Sequence, residues 1–234
     1  MDNRDAPGTP VVDLLHDLPP YDIPAAAYLL PAYASIFPPR TVFICIVDPG
    51  VGGERRPLAL LADDKWYVGP DNGLFNLVVR RAQHAEVHEI HWRPPILSAS
   101  FHARDLFAPV AARLVRGELP ASRPVTLAPL VADAWPDDLP RVLYIDGYGN
   151  GISGVRSSQI PNGSLLQVRG QAVPHARVFG DVPPGQVFWY GNANGLVEIA
   201  VNRASARHVL GLAVGDGFDW EPGRDLGTTT RRPA

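Results

Sequence analysis

The stretch TVFICIVDPGVGGERRPLALLAD, residues 41–63, decides how the chain is read. Its opening segment TVFICIV, residues 41–47, is β-rich and apolar, as a strand buried on both faces of a layered α/β fold should be. A glycine-rich turn, VDPGVGGERRP at residues 47–57, follows at once, and a second apolar run, PLALLAD, comes after it. A carboxylate at the C-terminal end of a strand, beside glycines that let backbone amides approach a ligand, stands where open α/β sheets place their sites. On position alone, a surface turn capped by Asp48 is an equal reading. No Gly-Lys-Ser/Thr follows, so the turn is not a phosphate-binding P-loop.

Outward from this stretch, strand-like and helix-like segments alternate. VVDLLH, residues 11–16, has strand composition. DIPAAAYLLPAYASIF, residues 22–37, reads as a helix with Asp22 as its cap and Pro24 in the first turn, and Pro31 is expected to kink or break it. WYVG is a further strand, and residues 72–82 are a short helix. RDLFAPVAARLVRG, residues 104–117, sets Leu106, Phe107, Val110, Leu114 and Val115 on one stripe, closed by Gly117. Residues 1–118 are therefore expected to form an α/β N-terminal domain with a mainly parallel sheet. Residues 119–140 carry five prolines and read as a linker. Residues 141–220 change character: RVLYID, SLLQVRG, QVFWYG and LVEIAV are short strands between Gly, Pro and Asn turns, the pattern of a smaller antiparallel β domain. Residues 221–234 are polar and are expected to be a disordered tail.

Composition limits the function. The chain has 234 residues, 46% hydrophobic and 19% charged, enough for a sizeable core. With 21 basic against 24 acidic residues and a net charge of −3, it has no basic excess to meet a phosphate backbone, so nucleic acid is not expected as a partner. The single cysteine, Cys45, excludes an intrachain disulfide and a cysteine metal cluster, and fits a cytoplasmic protein. No apolar run approaches the roughly 20 residues that span a bilayer, and the first residues show no signal-peptide pattern.

Two other segments could carry chemistry. VGPDNGLF, residues 68–75, again ends a strand with Pro, Asp, Asn and Gly before a helix; a helix-capping turn is its plainer reading. SFHARDLF, residues 100–107, places His102 before a helix, where a histidine is more often structural. GNGISG, residues 149–154, matches a dinucleotide fingerprint in form, but no helix follows it. His84, His88 and His91 lie in a strand-like alternation without a carboxylate motif and read as surface histidines, so no metal is expected.

Taken in order, VVDLLHDLPPYDI, VDPGVGGERRPLA, VGPDNGLF, SFHARDLFAP, YIDGYGN and NANGLVEIAVN resemble the S-adenosylmethionine hydroxide adenosyltransferases, relatives of the fluorinase and chlorinase. The resemblance runs from about residue 11 to residue 211. It implies a β-barrel-like C-terminal domain, a homotrimer with active sites between subunits, and hydrolysis of S-adenosyl-L-methionine to adenosine and L-methionine with no cofactor. The hydrolytic trio of Asp, Arg and His falls on Asp48, Arg55 and His102. Where the halogenating branch has hydroxyls near its halide, this chain has Asp48, Val51 and Ala103, which favours water. By the same carry-over Tyr21 and Phe179 flank the adenine, Asn150 hydrogen-bonds its edge, Tyr148 packs at the nucleoside, and Asp146 holds the methionine ammonium. Phe101 joins the substrate-binding set, and Asn192, Ala193 and Asn194, with Gly195, form a loop near the methionine carboxylate. That loop has Ala193 and Asn194 where the halogenases have serine and arginine.

The chemistry suits these residue types. The sulfonium makes methionine a neutral leaving group, so the reaction is an in-line displacement at the ribose 5′ carbon that needs an oriented water and no metal. Positioning can supply up to about 7–11 kcal/mol, and a general base roughly a hundred to ten-thousandfold, so orientation should dominate. Asp48 and His102 are expected to hold and deprotonate the water, with Arg55 fixing the carboxylate; which of the two takes the proton is open at this level. The resemblance also implies an opening strand and helix with an Asp-Phe/Leu-Gly type motif gripping the ribose hydroxyls, and nothing before Pro10 corresponds to it. The expectation is a start assigned downstream of the true one, or a shortened, weakly active or inactive relative. The competing function is a noncatalytic adenosine or S-adenosylmethionine binder, and a halide-using transferase stands behind it.

Overall fold

The computed structural model describes residues 6–127 and 135–222, which divide into two compact units at Asp137/Asp138. Elements of the first unit are α1 (Ile23–Ala34), β1 (Val42–Ile44), β2 (Pro57–Ala62), β3 (Lys65–Pro70), α2 (Asn76–Arg81), β4 (Ala85–Ile90), α3 (Ala108–Val115) and β5 (Ser122–Pro124). Its five strands form one sheet in the order β1-β3-β2-β4-β5.

Side-chain alternation along β2 places this sheet between two helical layers. Leu58, Leu60 and Ala62 pack with Ala26 and Ala34 of α1 and with Phe75 and Val78. Ala59 points the other way, with Val68, Ile90, Leu106, Phe107, Val110 and Leu114. The core lies on both faces, so a strand without polar alternation such as PLALLA is what the architecture requires. Gly69 lets β1 come close to β3: a Cβ there would stand 2.3 Å from the Cys45 carbonyl oxygen.

The mainly parallel sheet expected from the sequence is corrected. Only β1 and β3 run parallel; β2 pairs antiparallel with both β3 and β4, and β4 with β5. The cause is local, because Ala62 pairs with Lys65 across Asp63 and Asp64, whose φ angles of 43° and 63° make a two-residue hairpin turn. Three further expectations change. Residues 11–16 form no strand: Val11 and Val12 are 64% and 67% exposed, and Leu14 packs on the core. Helix α1 runs through Pro31, its start capped by Asp22, whose Oδ1 accepts from Ala25 N at 2.9 Å. The proline costs one backbone hydrogen bond and about 3 kcal/mol, which burial of Tyr28 and Leu29 at about 1.5–3 kcal/mol each offsets. The linker stretch contributes β5 and the start of a later strand at Leu139, while residues 128–134 fall outside the described residues.

The second unit contains β6 (Leu139–Ile145), β7 (Gly151–Arg156), β8 (Leu165–Val168), β9 (Gln171–Val173), β10 (Val187–Gly191), β11 (Leu196–Val201), α4 (Ala206–Val209) and β12 (Phe218–Glu221). All its ladders are antiparallel, in two sheets ordered β10-β11-β7-β6 and β12-β8-β9. They enclose Val142, Leu166, Val168, Trp189, Val197, Ile199 and Phe218. Trp189 satisfies its buried indole N–H on the Ser164 carbonyl at 2.8 Å. The barrel-like expectation becomes two sheets joined at their margins by the isolated bridges His175↔Trp189 and Arg141↔Gly217, without continuous ladders closing the ring. Glu221, expected in the tail, belongs to β12, and the tail from residue 223 lies outside the described residues.

Candidate active site

In the first unit the chain after β1 turns through residues 48–55 and meets the segment that leads into α3. Gly52 makes the meeting possible: its φ is +80°, and a Cβ there would stand 2.5 Å from the Ala99 carbonyl oxygen. Only glycine takes this conformation without strain and leaves room for the Ala99 backbone. On the other side, Asp105 holds its own segment in place by accepting from Ser98 N at 3.0 Å. The Arg104 side chain first, then Ser98, keeps its carboxyl well below the usual carboxylate range. His102 immediately precedes a π-turn, Ala103–Phe107, in which Ala108 N donates to the Ala103 carbonyl. Such turns are frequent at functional positions of helices.

These supports bring Asp48, Arg55 and His102 together. Arg55 Nε donates to Asp48 Oδ1 at 3.0 Å and Oδ2 at 3.1 Å, and its Nη2 forms a close ion pair with Oδ2. The same Nη2 lies 2.9 Å from His102 Nδ1, and the guanidinium sits over the Phe107 ring, 5.5 Å from its centroid. A guanidinium can only donate, so Nδ1 must accept and the proton of the neutral imidazole is on Nε2. Burial, then the Arg55 cation, holds His102 below its ordinary value of 6.5 against the raising influence of Asp48. The arrangement therefore offers a fixed carboxylate, a buried cation that cannot leave it, and a neutral imidazole N–H. Val51 and Ala103 contribute no hydroxyl beside them.

The remaining sequence-predicted residues are distributed over both units. Tyr21 in the first has φ 64° and is 80% exposed. A bulky residue in the left-handed region costs about 1–3 kcal/mol, which the rest of the turn must offset. Phe101 is exposed beneath the Arg104 guanidinium, 4.8 Å from the ring centroid. In the second unit Asp146 accepts from Tyr148 N at 2.9 Å, Asn150 N at 2.8 Å and Asn150 Nδ2 at 3.2 Å. Three of the roughly four lone-pair positions of that carboxylate are thus taken by its own loop. Asn150 is buried, and Tyr148 is 83% exposed. Phe179 packs edge-on against Phe188 and Tyr190. Asn192 Oδ1 accepts from Asn194 N and Leu196 N, both at 3.0 Å, closing the turn that carries Ala193 and Asn194.

Residue-by-residue reading of the sequence assigned no role to Asn72 or Glu198. Asn72 Nδ2 donates to the Val47 carbonyl at 2.8 Å, directly behind Asp48; its signal was the PDNG turn. Glu198 is a buried carboxylate within LVEIAV, and its signal was a single charge in an otherwise apolar strand.

A three-layered α/β unit with an acid–guanidinium–imidazole cluster on its loops, followed by an antiparallel β unit, defines a class of protein that carries polar, titratable groups on the turns of a rigid scaffold. The chain belongs to the SAM hydroxide adenosyltransferase family: the family's N-terminal domain matches residues 3–123 and its C-terminal domain residues 140–219. It is 43% identical over 230 residues to the (R)-S-adenosyl-L-methionine hydrolase of Thermus thermophilus, covering 90% of this chain and 87% of that one. A fluorinase of Nocardia brasiliensis is 25% identical over 138 residues, 47% of this chain and 46% of its own. The crystal structure of an uncharacterized conserved protein from Thermotoga maritima matches with a TM-score of 0.82 at 28% identity, covering 94% of this chain and 92% of that one. No helix among the described residues is long and apolar enough to cross a membrane.

Proposed function

We propose that this protein hydrolyses S-adenosyl-L-methionine, in its (R)-sulfonium form, to adenosine and L-methionine. The observation that carries the reading is the contiguous Asp48–Arg55–His102 cluster in a chain whose relative at 43% identity is named for that hydrolysis. The configuration at sulfur comes from the relative's name and sharpens what the sequence alone suggested.

Water attacks the ribose 5′ carbon from the side opposite sulfur. A C–O bond forms, the C–S bond breaks, and its electron pair neutralises the sulfonium as methionine departs. The oxygen becomes strongly acidic only as the bond forms, so a carboxylate tied to an arginine is base enough to take the proton. Asp48 is that acceptor, because His102 already accepts from Arg55 on Nδ1 and carries its proton on Nε2. His102 then acts as a donor that orients the water, and Arg55 keeps both partners in register. Val51 and Ala103 give a halide no hydroxyl to bind. Tyr21, Phe101, Asp146, Tyr148, Asn150, Phe179 and the turn at residues 192–195 are proposed to hold the substrate. The chain is proposed to work in the cytoplasm as a homotrimer without a cofactor; light scattering of the purified protein tests the assembly.

The purified protein should release adenosine from the (R)-epimer faster than from the (S)-epimer, and added chloride or fluoride should neither compete nor yield a halogenated nucleoside. Asp48→Asn and His102→Ala should each lower turnover by roughly a hundred to ten-thousandfold. Full adenosine release by both variants in folded protein would refute the assignment. Binding of the substrate without any release would return the chain to the noncatalytic alternative.

A further inference from the structure

Glu198 occupies the third position of β11, a strand whose six residues are all buried, and is itself only 5% exposed. A carboxylate in such a place carries a desolvation cost that an isoleucine or valine would avoid, so its neighbours should show what it does. It pairs across the sheet with Tyr190 of β10 on one side and Ile152 of β7 on the other. The alternate residues Trp189, Val197 and Ile199 face the core, so Glu198 and Tyr190 share the opposite face.

Both of its oxygens are used. Oε1 accepts from the Tyr190 hydroxyl at 2.7 Å and Oε2 from Asn192 Nδ2 at 3.0 Å. The second bond fixes the Asn192 amide: with Nδ2 held by the carboxylate, Oδ1 must face the backbone N–H groups of Asn194 and Leu196, the two bonds that close the turn. The first bond fixes the Tyr190 ring, which meets Phe179 at 5.4 Å and 71°. One buried carboxylate thus braces two separate pieces of chain, the Phe179 ring and the turn at residues 192–195.

We propose that Glu198 is a positioning residue for substrate, setting the Phe179 ring through Tyr190 and the 192–195 turn through Asn192. This rests on the reading above that Phe179 and that turn contact the substrate. Glu198 touches no reacting atom, so its effect belongs in KM rather than kcat; the Asp48 cluster is built wholly from the first unit.

The test is steady-state hydrolysis by the full chain, with adenosine binding measured alongside by calorimetry. Glu198→Ala loses both bonds and should raise KM by about tenfold while kcat changes by less than about threefold. Glu198→Gln can still accept from Asn192 through its oxygen and donate to the phenol oxygen, so it should restore most of the lost affinity, whereas Glu198→Met, which fills the space without either bond, should stay as impaired as Glu198→Ala; a packing defect would predict rescue by both. The single variant Tyr190→Phe removes one of the two donors while keeping the carboxylate, the ring against Phe179 and the whole Asn192 turn. It should raise KM about threefold, and it decides the matter if Glu198→Ala does not fold. The inference is overturned if the deciding variant keeps KM and adenosine affinity within about twofold of wild type, or if Glu198→Gln is as impaired as Glu198→Ala. Adenosine affinity lost in Glu198→Ala but regained in Glu198→Gln supports the inference even if the wild type proves not to hydrolyse. A wild type that binds no adenosine overturns it together with the functional reading.

Discussion

Asn72 Nδ2 donates to the Val47 carbonyl at 2.8 Å, so the backbone immediately before Asp48 is held by the turn that ends the parallel neighbour strand β3. Its Oδ1 also accepts from Leu74 N at 3.3 Å, which binds that turn to itself. Asn72→Ala frees the Val47 carbonyl and lets the carboxylate drift. A displacement near 1 Å costs on the order of a hundredfold in rate, so kcat should fall about ten- to a hundredfold with KM little changed. Loss of a half-buried hydrogen bond should lower stability by about 1–3 kcal/mol. Kinetics and a urea melt on the same preparation check both.

Gly52 brings the Asp48 turn onto the Ala99 backbone. Gly52→Ala meets two obstacles, a φ of +80° and a carbonyl oxygen 2.5 Å from the new methyl. The turn should back away from His102, lowering kcat more than tenfold and stability by about 1–3 kcal/mol. Gly53→Ala is the control. It lies in the same turn without a left-handed φ, and its nearest contact would be 3.1 Å, which a small shift relieves.

These two residues show what could be read in the sequence and what could not. Asp48, Arg55 and His102 were modest signals singly and stood out only through the ordered resemblance of their segments to the family; the structure brings the three side chains together. Asn72 and Glu198 were not legible, since their roles are bonds to atoms 25 and 6 residues away that no local pattern encodes. The strands RVLYID, SLLQVRG, QVFWYG and LVEIAV and their antiparallel pairing were legible from their turns, whereas the strand directions in the first unit's sheet were not. Asp63-Asp64 makes the hairpin with two left-handed aspartates instead of the Asn-Gly or Asp-Gly that would have announced it. Residues 11–16 misled for the opposite reason: apolar composition marks burial of Leu14, and a strand also needs a partner backbone.

Arg55 performs three tasks with one planar group: it grips both Asp48 oxygens, faces His102 Nδ1 and lies on Phe107. Arg55→Lys keeps the charge but offers a single ammonium that cannot reproduce the fork. Turnover should drop by about a hundredfold, and the variant should fold, because the Asp48 charge retains a cation. Arg55→Met leaves a nearly buried carboxylate without one and should cost about 3–5 kcal/mol of stability. Equal melting of the two variants would show that the pair matters for geometry alone.

The His102 environment fixes the direction of the pH dependence. Burial and Arg55 lower its pKa, so the neutral form persists below the ordinary 6.5, and protonation would set an Nδ1–H against the Arg55 donor. The acid limb of kcat/KM should therefore fall below pH 6.5. Replacing Arg55 by Gln removes a lowering charge and leaves Asp48, which raises the pKa, so the limb should move to higher pH. Stability follows the same sign: an unfolded chain takes the proton first, so the contribution of His102 is complete above 6.5 and is lost as pH falls toward its folded value. Titration of the His102 imidazole by NMR, in wild type and Arg55→Gln, measures the shift directly. If the wild-type imidazole titrates above 6.5 and does not move in Arg55→Gln, the contact of Arg55 with its Nδ1 does not hold in solution, and assignment of the proton to Asp48 falls with it.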